Sequence, residues 1–124
     1  MSDFQLEAIL HCSVIVRDTD TALRFYRDVL GLPVSARRPA LGYPGAWLEL
    51  GTQQIHLLEV PNPDPVDNRP AHGGRDRHTA IAVRGLDSLR TRLDAAGIPY
   101  TMSRSGRAAL FVRDPDGNAL EFIE

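Results

Sequence analysis

The chain repeats itself. Arg17 and Asp20 recur 67 residues on as Arg84 and Asp87, and Gly31-Leu32-Pro33 recurs 66 on as Gly97-Ile98-Pro99. An internal repeat constrains a fold strongly, because each unit must be one supersecondary element that buries its apolar face against a twin. Four residues able to bind a metal occupy matching places in the two copies. His11 and His56 lie in the first, His78 and Glu121 in the second, with separations of 78 − 11 = 67 and 121 − 56 = 65. Two such half-sites meeting across a pseudo-two-fold axis would surround one ion with four ligands.

Periodicity places these residues on strands. Residues 8–17 are rich in β-branched and apolar types, so they are predicted to form a strand. Alternation puts Ile9, His11, Ser13 and Ile15 on one face and Leu10, Cys12, Val14 and Val16 on the other. Asp18 or Thr19 can cap a helix over 20–30. Its apolar stripe is Ala22, Leu23, Tyr26, Val29 and Leu30, and Gly31 is a good stop. Strands near 33–37, 44–50 and 53–60 complete the first module. The second reads in parallel: a strand over 77–83, a helix over 87–96, and strands near 99–103, 108–113 and 118–123. Asp114-Pro-Asp-Gly-Asn118 between the last two is a tight-turn signal. Each module is therefore β-α-β-β-β, with ligand candidates on its first and last strands. The modules span about 8–60 and 77–124 of a single domain, 1–124.

Between them, residues 61–76 hold four of the nine prolines, which rules out a helix or a central strand. A connection this long is often functional.

With 124 residues there is enough chain to bury a core, but each half of roughly 60 residues is marginal alone. A formal net charge of −2 gives no general attraction to nucleic acid or anionic lipid. No apolar run approaches a membrane span, and the N-terminus lacks a signal-like pattern. The single Cys12 excludes an intrachain disulfide and fits a reducing compartment, so a cytoplasmic protein is expected.

One histidine in a strand is more often structural than a ligand; four ligand types at equivalent places are not easily accidental. Glu121, inside the apolar run Ala119-Leu-Glu-Phe-Ile123, needs a partner if it points inward, because an unpaired buried carboxylate is costly. His72, in the connection and without a counterpart, is expected to be exposed or at most part of a lid. Cys12 points to the opposite face from His11 and is expected to pack in the core. Glu49 and Glu59 are expected at the surface or rim. Tyr43 and Trp47 could wall a pocket, and Arg37, Arg38, Arg104 and Arg107 are weak candidates for an anionic substrate.

The segments Leu10-His-Cys-Ser-Val-Ile-Val16, Ala22-Leu-Arg-Phe-Tyr-Arg-Asp-Val-Leu-Gly-Leu32, Gln54-Ile-His-Leu57, the His78 strand and Asp114-Pro-Asp-Gly-Asn-Ala-Leu-Glu-Phe122 together resemble the vicinal oxygen chelate superfamily. This is the glyoxalase, bleomycin-resistance and extradiol-dioxygenase group, and the similarity runs from His11 to Glu121. It implies an α+β fold in which paired βαβββ modules form a curled, incomplete barrel around a divalent metal, commonly in a homodimer. The family's ligand positions fall on His11, His56, His78 and Glu121. In glyoxalase I a glutamate usually stands where this chain has His56. Glutathione-dependent bacterial members often carry Arg four residues after the first ligand and Asn four after the second. Ile15 and Val60 stand there, which argues against a glutathione hemithioacetal.

Three imidazoles and one carboxylate on a dication leave a net charge of about +1, against zero with two carboxylates. Such a site suits zinc, nickel or Fe(II) rather than magnesium or calcium. The expected function is a lyase or isomerase acting on a small substrate with adjacent oxygens through an enediolate on the metal, with Glu121 as the catalytic carboxylate. Two alternatives stand beside it. His11, His78 and Glu121 alone would make a two-His-one-carboxylate Fe(II) dioxygenase site. A non-catalytic binding protein of the drug-resistance kind is the other, although those relatives typically lack the ligands.

Overall fold

The computed structural model describes residues 3–124. Strand β1 (His11–Ile15) leads into helix α1 (Thr19–Leu23), then strands β2 (Gly45–Leu50) and β3 (Gln53–Leu58). The second half runs β4 (His78–Ala82), α2 (Leu86–Ala95), β5 (Tyr100–Met102), β6 (Ala109–Arg113) and β7 (Ala119–Ile123). The first sheet is ordered β1-β3-β2 and the second β4-β7-β6-β5. In both, the first and last strands pair parallel and the remaining pairs are antiparallel. The two sheets are separate, and no barrel closes among the described residues.

The strand predicted over 33–37 is reduced to a single bridge, Val34 to Leu48, flanked by bonds from Ser35 N to Trp47 O and from Glu49 N to Pro33 O. Pro33 lacks an N–H to extend the ladder on its own side. Val34 still occupies the place of Tyr100, 66 residues on, so the second module keeps as β5 what the first has nearly lost.

Asp18 caps α1, its carboxylate accepting from Thr21 N at 2.8 Å. Glu59, expected at the surface, binds the same helix start: its Oε1 accepts from Thr19 N and Thr19 Oγ1 at 2.7 and 3.0 Å. The predicted helix over 20–30 is present, but from Arg24 to Val29 it widens to π geometry, with Leu30 N bonded five residues back to Phe25 O. Gly31 and Gly97 follow the two helices at φ 78° and 68°, a left-handed turn that favours glycine.

Both helices pack on one side of the sheets. Phe25, Tyr26, Leu86 and Leu93 join Leu48, Ile55, Leu57, Leu110, Leu120 and Phe122 in a core common to both halves. Cys12 and Val14 pack against it, as alternation required. Leu10 does not: it precedes the first paired residue of β1 and is 71% exposed. Hydrogen bonds also tie the halves together. Tyr26 Oη donates to Asp114 Oδ2 at 2.7 Å, both residues buried, and Asn118 Nδ2 donates to Ile15 O at 3.1 Å. Burial raises the Asp114 carboxyl above its ordinary range against four hydrogen bonds that lower it. No helix among the described residues is long and apolar enough to cross a membrane.

Candidate metal centre

The face of each sheet turned away from the helices carries the ligand candidates, and the strand register brings them together in pairs. His11 lies opposite Gln54, so His56, two residues on, is its diagonal neighbour. His78 lies opposite Ala119, and Glu121 is again two residues on. Repeat and register together put the two pairs at equivalent positions on their strands.

In the first half-site the rings of His11 and His56 stack at 3.8 Å between centroids, and Trp47 stacks on the other side of His56 at 4.1 Å. His56 Nε2 is 2.8 Å from Gln54 Oε1, so the tautomer carrying a proton there donates to the amide oxygen. Burial, then His11, then Arg38 lower the His56 pKa, which favours the neutral ring that ligation needs.

In the second half-site His78 Nε2 stands 3.3 Å from Glu121 Oε1, while His78 Nδ1 is 2.9 Å from the carbonyl oxygen of Asp76. A carbonyl only accepts, so Nδ1 carries the proton and Nε2 turns toward the carboxylate. Two groups that both offer electron pairs then face each other, and a proton or a metal ion between them resolves the conflict. Two donors at about 2.0–2.2 Å from one ion stand roughly 3.0–3.5 Å apart, so this separation fits shared ligation. A ring whose far nitrogen is fixed by a backbone carbonyl is also the usual arrangement of a metal-ligating histidine. Glu121 is buried, and its other oxygen, Oε2, accepts from Arg107 Nη2 at 2.9 Å.

The chain thus assembles His11 with His56 and His78 with Glu121. Among the described residues no group of three or more metal-capable side chains converges. Each half-site has the donor chemistry for a divalent ion.

Other side chains stand against the two pairs, among them Trp47, a pocket-wall candidate in the sequence. Trp47 lies opposite His56 and Phe111 opposite Glu121, so the same aromatic place is filled in both halves. Their separation, 111 − 47 = 64, falls near the repeat offset and could have revealed them. Gln54 has no such signal, and Arg107 stands in the sequence only as a weak candidate for an anionic substrate. His72 corrects an expectation: it is buried, its Nδ1 lies 2.7 Å from Thr101 Oγ1, and its ring meets Phe111 edge-on. The connection therefore folds onto the sheet, where Gly73 approaches Phe111 and Ala119 so closely that a β-carbon would lie 3.3 Å from each of theirs.

The Glyoxalase/Bleomycin resistance protein/Dioxygenase superfamily model matches residues 8–122, and the chain belongs to that superfamily. It is 32% identical to Glyoxylase I 4 of Arabidopsis thaliana over 94% of this chain and 70% of that one. With lactoylglutathione lyase of Haemophilus influenzae it shares 31% identity over 94% and 91% of the two chains. A crystal structure of a Bacillus anthracis protein assigned to the glyoxalase family superposes with a TM-score of 0.82. It is 26% identical, with 100% and 98% of the chains covered.

Proposed function

We propose that this protein is a metal-dependent lyase or isomerase of glyoxalase type, acting on a small substrate with adjacent oxygens. The observation that carries this reading is the His78–Glu121 pair, a carbonyl-anchored imidazole and a buried carboxylate whose donor atoms lie 3.3 Å apart. The glyoxalase and lyase relatives named above support the reaction class. His11, His56, His78 and Glu121 would hold the ion, with zinc, nickel or Fe(II) suiting the imidazole-rich set. When bound, the ion supplies Lewis acidity toward the substrate's oxygens.

The chain's own residues do the rest. Glu121 moves a proton between the carbons that bear the two oxygens, acting as base and then as acid. Arg107 holds Oε2, which leaves Oε1 on the side of His78. Trp47 and Phe111 wall the space beside the two pairs and limit water there. Because one chain assembles the donors in pairs, a second copy completes the four-ligand site in this reading. Exposed Phe4, Leu6, Ile9 and Leu10 beside the unpaired edge of β1 supply apolar surface for a homodimer. The single free cysteine suits action in the cytoplasm.

A second reading, an extradiol-type Fe(II) dioxygenase, draws on one observation. His56 Nε2 is already satisfied by Gln54, and without His56 a two-His-one-carboxylate set remains. Elemental analysis of protein purified without added metal, with the oxidation state determined, separates these. Zinc or nickel, together with solvent-deuterium exchange at a 2-hydroxy ketone carbon, is the expected result. Fe(II) with oxygen uptake on a catechol would select the dioxygenase. Protein that takes up no metal would be left as a binding module.

A further inference from the structure

Glu121 is held by more than a chance surface arginine. Arg107 lies in the loop between β5 and β6, where Gly106 takes a left-handed turn at φ 85°. Its Nε donates to Ser105 Oγ at 3.2 Å, and Ser105 Oγ is itself 2.8 Å from Ser103 Oγ. A chain of hydrogen bonds therefore aims the guanidinium at the candidate metal carboxylate.

A guanidinium has five N–H groups. Nε uses one and Nη2 uses another, so three on the Nη1/Nη2 end have no partner among the described residues. The side chain remains 56% exposed, although one of its nitrogens touches a carboxylate that is nearly inaccessible. An arginine end with parallel free N–H groups is shaped for a planar oxyanion.

Charge points the same way. Arg107 already balances Glu121, so a dication on three neutral imidazoles and this carboxylate would leave the ensemble at about +2. A neutral substrate would leave that charge uncompensated in a partly enclosed site; an acid would reduce it.

We infer that Arg107 is a specificity-determining residue that receives the carboxylate of an anionic substrate, so that the substrate class is small hydroxy-oxo acids, whose carboxylate stands beside the carbon pair that bears the two oxygens, rather than neutral ketols. This rests on the metal-site reading above.

The test uses full-length protein loaded with zinc, its metal stoichiometry measured first, and calorimetric titration with pyruvate and with neutral hydroxyacetone. Pyruvate should bind at least about 10-fold more tightly, as charge-assisted hydrogen bonds imply. Arg107→Gln should abolish that preference while keeping the metal, Arg107→Lys should retain part of it, and Arg104→Gln should leave it intact. In the unaltered protein, phenylglyoxal labelling mapped by mass spectrometry should show Arg107 shielded by pyruvate and not by hydroxyacetone. That readout stands even if a variant fails to fold. Equal binding of the two probes, a preference that survives Arg107→Gln, or unshielded labelling would overturn the inference. So would loss of metal in Arg107→Gln and Arg107→Lys with labelling unshielded, which would make Arg107 a positioning residue for Glu121 only. Wild-type protein that binds no zinc would instead overturn the metal reading, and this inference with it.

Discussion

His78 and Glu121 sit on neighbouring parallel strands two residues out of register, with Nε2 and Oε1 3.3 Å apart, and the same stagger relates His11 to His56. A parallel first-and-last strand pairing, used twice, places the candidate pair at the same register positions in each module.

Glu121→Gln and His78→Ala should each weaken divalent metal binding by more than about 100-fold, since loss of an outer-shell partner alone typically costs 10–100-fold. Competition titration with a chromogenic chelator reads this directly. Unchanged affinity in both variants would remove the second half-site from the metal centre.

His56→Ala separates the two enzyme readings. If His56 is a ligand, its loss lowers metal affinity sharply. If Gln54 keeps it engaged as a pocket residue, affinity holds while turnover changes. Ligation is the expected outcome, because His56 and Glu121 occupy equivalent positions relative to β1 and β4. Full stoichiometric metal at unchanged affinity would make the dioxygenase the leading reading.

Association should be legible in the apolar residues preceding β1. Leu10→Asp places a charge on surface that a partner would cover, and sedimentation velocity should shift from dimer to monomer with metal affinity falling in parallel. A wild-type monomer at micromolar concentration that still binds metal through all four residues would place the whole site in one chain.

Tyr26→Phe removes a buried donor from Asp114 and should cost about 1–3 kcal/mol in urea denaturation at neutral pH. The pH dependence follows from the raised Asp114 pKa, whose first cause is burial. The native state binds this proton more readily than the unfolded chain. The contribution is therefore fully present below the ordinary aspartate value of 3.8 and is lost as pH rises through the folded pKa. Relative to Asp114→Asn, which cannot titrate there, the wild type should gain stability as pH falls from neutrality toward that value. A wild type that instead loses stability relative to Asp114→Asn over that range would show the shift has the opposite sign.

Amino-acid order alone disclosed the repeat, the faces and the four ligand candidates, because each is a local or periodic property. Alternation places Cys12 and His11 on opposite faces whatever surrounds them, and Gly31 and Gly97 end helices through their own backbone freedom. Tertiary structure decided what depends on non-local contact. Val34 keeps one bridge where Tyr100 keeps a strand, Leu10 lies outside the core despite the alternating pattern, and Glu59 binds the start of a helix 40 residues away. His72 is buried because its segment folds back onto Phe111 and Thr101, which no pattern around a polar, proline-rich connection announces. The engagement of Glu121 by Arg107 is likewise a meeting of a loop with a strand 14 residues on. Periodicity reports which way a side chain points, whereas the group it meets is set by how separate segments pack.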